Sequence, residues 1–180
     1  MAISAFDSDG TVKWVRGARS RGFPVVASGV IYAEPGAYDL QTGEPVTRTH
    51  PLTGDEIDWT FRRAYGCGSI SASTNMLYFR SGAMGMYDLV GDTGLHNFGG
   101  IRPGCYINVI AANGLVLMPN GDSACTCAYN FQTSLALEPA PGREENWSEF
   151  SMGTSTRVRL RQVRLNIGAP GDGRDEDHNM

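Results

Sequence analysis

The sequence predicts an all-β fold: a partial β-propeller of about three four-stranded antiparallel blades, plus the start of a following β domain. Three observations carry this. Short apolar runs alternate with turn residues along most of the 180-residue chain. No run of ten or more residues sets apolar side chains at i, i+3, i+4 and i+7, the spacing of a helix face. A segment ending in Tyr-Asp-Leu recurs with a period near 40 to 50 residues, the length of a four-stranded blade.

The strands read in order as Thr11 to Val15, Pro24 to Ser28, Val30 to Ala33, Ile70 to Ala72, Met76 to Arg80, Tyr106 to Ala111, Leu115 to Met118 and Ser134 to Leu137. Each is a short apolar or alternating run. Most are separated by turn pairs such as Ser28-Gly29, Pro35-Gly36, Thr42-Gly43, Asn113-Gly114 and Asn120-Gly121. Such spacing marks a sandwich, barrel or propeller.

The repeat selects the propeller. "SGVIYAEPGAYDLQTGEPV" (28 to 46) resembles "TNMLYFRSGAMGMYDLVGDTGLHNF" (74 to 98). Each has an apolar pair and Tyr, a short loop, then Tyr-Asp-Leu and Thr-Gly. "ANGLVLMPNG" with "SLALEP" (112 to 139) reads as a degenerate third copy. In the shared turn, Asp39 and Asp88 are expected to accept hydrogen bonds from nearby backbone N–H groups. Gly43 and Gly94 supply the positive φ of a tight turn. The Tyr and Leu beside each Asp point to the opposite face, into the core between blades.

Residues 140 to 156 are polar and rich in Gly, Ser and Thr, and read as a linker. Residues 157 to 180 read as the truncated start of a following domain. There "TRVRLRQVRLNIG" (156 to 168) alternates arginines with Val158 and Leu160, then changes phase near Gln162, as a strand with a bulge does. The blades occupy residues 1 to 139.

The totals exclude several classes. A formal net charge of −4 gives no reason to expect nucleic acid. No window of 18 apolar residues exists, so no membrane span is expected. "MAISAFDSDG" has neither the positive end nor the apolar centre of a signal peptide.

The chain has four cysteines: Cys67, Cys105, Cys125 and Cys127. Cys125 and Cys127 share a strand face two residues apart, too far apart and wrongly directed for an easy mutual bridge. Two pairings remain open: 67–125 with 105–127, or 67–127 with 105–125. Either stabilises by roughly 3 to 4 kcal/mol per bridge in the chain-entropy model. Bridges imply an oxidising compartment, periplasmic or extracellular. The Cys-x-Cys spacing lacks the paired Cys-x-x-Cys of zinc knuckles, of thioredoxin-type redox sites and of covalent haem, so no metal site is expected.

"AYDLQTG" (37 to 43) resembles the Ala-x-Asp-x-x-Thr-Gly signature of the PQQ-like β-propeller repeat proteins, in the quinoprotein alcohol dehydrogenase-like superfamily. The Trp that follows a few residues later in that signature is missing here, since Glu44-Pro45-Val46-Thr47 come next. "DSDGTVKW" (7 to 14) resembles the end of an earlier blade, with its Trp present as Trp14. "RRAYGCGSISASTNMLYFRSG" (62 to 82) and "GGIRPGCYINVIAANGLVLMPNGDSACTCAY" (99 to 129) resemble the closing part of large secreted bacterial proteins of this kind. "LNIGAPGDGRDED" (165 to 177) resembles the segment that follows their propeller.

The resemblance implies a C-terminal fragment of a propeller in a secreted multidomain protein. Its partners would be the rest of that propeller, the adjoining domains, and an unidentified small-molecule or protein ligand. The expected role is binding or scaffolding without chemistry, and without a cofactor. The alternative is part of a PQQ-dependent alcohol or sugar dehydrogenase, in which the quinone and calcium lie in the central funnel. The family's adjacent-cysteine disulfide has no counterpart here, and no catalytic residue is assigned. Arg80, Arg102, Asp88 and Asn108 are the candidate ligand-binding groups, with the two arginines suited to an anion.

Overall fold

The computed structural model describes residues 1–50, 52–98, 102–120, 134–139 and 149–152. They are all-β, with no helix among them, and form several small antiparallel sheets rather than a closed barrel or ring. Cys125, Cys127 and residues 157 to 180, expected to begin a following domain, lie outside the described residues.

A two-stranded sheet pairs β1 (Ala2–Phe6) with β2 (Val12–Gly17). The first three-stranded sheet joins β3 (Val25–Ala27), β4 (Val30–Ala33) and β5 (Gly36–Asp39). A hairpin of β6 (Thr47–Thr49) and β7 (Glu56–Asp58) follows. The second sheet is β8 (Ser71–Ala72), β9 (Met76–Ser81), β10 (Ala83–Asp88) and β11 (Leu95–Phe98). The third is β12 (Ile110–Ala112), β13 (Leu115–Met118) and β14 (Leu135–Leu137). Within the segment read as a linker, β15 (Glu149–Met152) pairs with β11 at the edge of the second sheet.

The repeat is visible in the pairing register. Ile31 faces Tyr38 and Tyr32 faces Ala37 across β4 and β5. Leu77 faces Tyr87 and Tyr78 faces Met86 at the matching places across β9 and β10. Val116 faces Leu137 in the degenerate third copy. Because side chains alternate, register fixes which face each residue takes. Val30 and Tyr32 leave the first sheet to meet Leu77, Phe79, Tyr87 and Leu95 of the second. From the other face of that sheet, Met76, Tyr78, Met84 and Met86 meet Val116, Met118, Leu135 and Leu137 of the third. The sheets therefore stack face to face in chain order, each using the same strand positions toward its neighbour.

Trp59 and Phe61 seal the first interface. Trp59 meets Tyr32 and Tyr87 edge-on, with centroids 5.2 and 5.1 Å away, and Phe61 lies 5.3 Å from Phe79. Such tilted pairs add about 0.5 to 1.5 kcal/mol each beyond the area they bury. Gly85 has no room for a side chain, since a Cβ there would lie 2.5 Å from the Phe79 ring.

The turns follow the expected chemistry. Asp39 Oδ1 accepts from the N–H of Gln41 and Thr42 at 2.9 and 2.7 Å and from the Thr42 hydroxyl at 3.0 Å. Asp88 Oδ1 accepts from the Val90 N–H at 2.8 Å. Gly43 and Gly94 take φ of 72° and 100°. The Asp7 turn is one residue shorter, with Gly10 N–H on Asp7 O at 2.9 Å, and there Asp9 Oδ1 accepts from the Thr11 N–H at 2.9 Å. Tyr87 is buried in the core as expected, but Tyr38 is only half-buried and lies in neither apolar cluster. Among the described residues, the β1–β2 sheet is the neighbour on that face of the first sheet, and its Trp14 donates to Leu40 O at 3.2 Å.

The strand predicted over Tyr106 to Ala111 forms only from Ile110. Asn108 spends its side-chain amide on Cys67 O and Ser69 O, at 2.9 and 3.1 Å, which holds the preceding residues as a loop. Strands β1, β5, β6, β7, β10, β11 and β15 come additionally to those predicted.

The β6–β7 hairpin brings a tryptophan beside β5. Beside β5, Tyr38 bridges Pro45 and Gly36 bridges Thr60, while Val46 N–H donates to Ala37 O at 3.0 Å and Trp59 N–H to Val46 O at 2.8 Å. The β6–β7 hairpin thus interrupts a fourth strand of the first sheet. Trp59 resumes that strand next to Val46.

Candidate functional site

Three loops occupy equivalent places in the stack: those leading into β3, β8 and β12. In an antiparallel meander each lies at the same end as the β4–β5 and β9–β10 turns, so all three crowd together. Between them lies a cavity of about 710 Å³. Arg21, Gly22 and Phe23 come from the first loop, Cys67, Gly68 and Ser69 from the second, Cys105 and Tyr106 from the third.

Buried polar contacts set this geometry. Glu34, at the β4–β5 corner, accepts from Arg63 Nε at 2.7 Å and from the Arg63 N–H at 2.9 Å. Arg63 Nη1 then donates to Gly68 O at 3.0 Å, tying the second loop to the first sheet. The Asn108 amide ties the third loop to the second. Two glycines permit the approach. A Cβ on Gly66 would lie 2.2 Å from Arg80 O, and one on Gly68 would lie 2.4 Å from Cys105 O with φ at +83°.

The cavity carries aromatic surface that folding leaves in water. Phe23 is 81% exposed and Tyr106 is 73% exposed. Arg21 adds a cation and Ser69 a hydroxyl. The arrangement can hold a flat apolar body with an anionic or hydrogen-bonding group.

The four candidate ligand groups lie elsewhere. Arg80 is buried in β9, with Nη1 2.8 Å from Cys105 Sγ and its guanidinium 5.8 Å from the Tyr65 ring centroid. Arg102 is buried in the third loop. Asn108 joins two loops, and Asp88 closes a turn. None of the four lines the cavity. Arg21, Phe23, Ser69 and Tyr106 do, and the sequence signal for the aromatics was slight: single large residues inside Gly- and Pro-rich loops.

Cys67 and Cys105 line the cavity as free thiols, the first exposed and the second buried. The expected bridges would join them to Cys125 and Cys127, outside the described residues. Among the described residues no cluster of three His, Cys, Asp or Glu side chains could hold a metal ion.

A second polar cluster sits at the opposite end of the second sheet. Asp92 accepts from Arg48 Nη1 and Trp59 Nε1, each at 3.0 Å, and from the Tyr87 hydroxyl. Burial, and then the Asp92 carboxylate, push the Tyr87 phenol well above its usual range, and the same two causes raise Tyr32. Arg48, Trp59 and Tyr87 thus converge on the Asp92 carboxylate beside the aromatic core.

No family model, curated protein or solved structure matches the chain.

Proposed function

We propose that the chain is a non-catalytic binding segment of a β-propeller in a secreted multidomain protein. The observation that carries this reading is the cavity where one loop from each of three successive repeats meets, with Phe23 and Tyr106 exposed on it. Support for the propeller comes from sheets that stack in one register, and from Trp59, which the β6–β7 hairpin returns next to Val46, a few strand positions after Thr42-Gly43. The ligand class that suits the cavity is a flat apolar molecule with an anionic group.

The dehydrogenase reading requires PQQ with calcium. Calcium takes hard oxygen ligands, chiefly carboxylates. The described cavity lining supplies the Ser69 and Tyr106 hydroxyls and no carboxylate, so these residues do not fit that pair and no step is derived through it.

The test uses 8-anilinonaphthalene-1-sulfonate as an anionic aromatic probe, followed by fluorescence. Phe23→Ala and Tyr106→Ala should each weaken its binding about tenfold, the loss of roughly 1.4 kcal/mol typical of an aromatic anchor. Unchanged binding in both variants rejects the cavity as the site. A titration with PQQ and calcium should leave the quinone absorbance unaltered; a saturable shift would favour the dehydrogenase.

A further inference from the structure

Cys67 and Cys105 stand on different loops, yet the packing draws them into one cluster. The residues on either side of Cys67 both make close backbone contacts. Gly66 lies against the backbone of Arg80, and Gly68 lies against Cys105 O. Arg80 completes the cluster, since its Nη1 donates to Cys105 Sγ at 2.8 Å. Cys67 O is held in place as well, accepting at 2.9 Å from the side-chain amide of Asn108, which follows Cys105 on the same loop. Both cysteines then line the same cavity.

The two thiols differ in access. Cys67 is exposed, whereas Cys105 is 8% exposed. In thiol–disulfide exchange an accessible thiol is the first to attack, and a second thiol beside it resolves the mixed disulfide.

We infer that Cys67 and Cys105 form a dithiol exchange site for low-molecular-weight disulfides of the glutathione class. The Cys67 sulfur attacks the small disulfide and forms a mixed disulfide with one half of it. The other half leaves as a thiol, carrying the proton that Cys67 gives up. The Cys105 sulfur then attacks the Cys67 sulfur, and the bond to the remaining small thiol breaks. That thiol leaves with the Cys105 proton, and a Cys67–Cys105 bridge remains. Two electrons have passed from the protein thiols to the reagent, which ends as two thiols. The bridge joins the second and third loops covalently where the Asn108 amide already joins them by hydrogen bonds. It differs from both pairings expected from the sequence, which reach Cys125 and Cys127. It does not depend on what the cavity binds.

Peptide mapping tests this. The fully reduced chain is incubated with oxidised glutathione, remaining thiols are alkylated in denaturant, and the digest is read by mass spectrometry. Chymotrypsin separates the cysteines, since Tyr106 lies between Cys105 and Cys125. Peptides linked through Cys67 and Cys105 are expected as the main product of these two residues. Cys105→Ser should trap glutathione on Cys67, because the resolving thiol is gone. Cys67→Ser should leave Cys105 free of glutathione, because its sulfur is shielded. Circular dichroism checks that each variant folds, and the wild-type map decides alone if one does not. Links from Cys67 or Cys105 to Cys125 or Cys127 overturn the inference. So do wild-type thiols that stay unmodified, glutathione that persists on wild-type Cys67, and glutathione on Cys105 of a folded Cys67→Ser.

Discussion

Removing the Glu34 carboxylate should destabilise the protein severely. The side chains of Glu34 and Arg63 are 1% and 5% exposed, so water cannot replace either partner. Glu34→Ala strips Arg63 of two hydrogen bonds, at 2.7 and 2.9 Å, and leaves its guanidinium with Gly68 O alone. Breaking a buried pair from one side costs about 3 to 5 kcal/mol, because a charge remains without compensation. Against a total stability of roughly 5 to 15 kcal/mol, that is a large share. With a urea dependence of about 1 to 3 kcal/mol per molar, the midpoint should fall by on the order of 2 M. Urea titration followed by the fluorescence of Trp59, which sits in the core, measures it. The double variant Glu34→Met, Arg63→Met should recover most of the loss, since two apolar side chains of similar size need no partners. A loss below about 1 kcal/mol in Glu34→Ala, the size expected of an exposed pair, would refute the reasoning.

Two pH predictions follow from the same logic. The Tyr87 phenol is raised by burial and by Asp92, so the folded state resists its ionisation. Below about pH 10 the phenol is protonated whether the chain is folded or not, and its contribution is complete; above that, the unfolded chain ionises first and stability falls. Tyr87→Phe should flatten the alkaline slope of unfolding free energy between neutral pH and pH 11 or so; an unchanged slope rejects the assignment. Asp39 is held below its usual range by the backbone N–H and hydroxyl of Thr42, so its contribution is complete above about pH 4 and is lost as pH falls through the lowered native value. In thermal melts Asp39→Ala should lower the midpoint at neutral pH and converge with wild type in acid, whereas a constant offset at every pH would count against the turn bond.

Period and turn chemistry made the sheets legible in the sequence. Val30 to Ala33 and Leu115 to Met118 appear at their predicted bounds because each is a compact apolar run next to a Ser-Gly or Asn-Gly turn. β10 was harder to see, since Met84-Gly85-Met86 alternates only once Phe79 is known to fill the space over Gly85. The cavity was not legible. Its residues are 21 to 23, 67 to 69 and 105 to 106, distant in sequence and joined only by the stacking of the sheets. Arg80 and Arg102 stood out as isolated charges beside strands, yet charge alone does not tell a buried guanidinium from one that faces a ligand.

The hairpin between Val46 and Trp59 shows that the chain can be opened in mid-strand and spliced back without loss of register. Twelve residues, 47 to 58, leave and return to the same seam, and the hydrogen bond from Trp59 to Val46 closes it. Lengthening such an excursion costs little, since loop entropy grows only with the logarithm of length. A foreign peptide grafted at this seam would be displayed on a rigid edge while the aromatic anchor behind it stays in place.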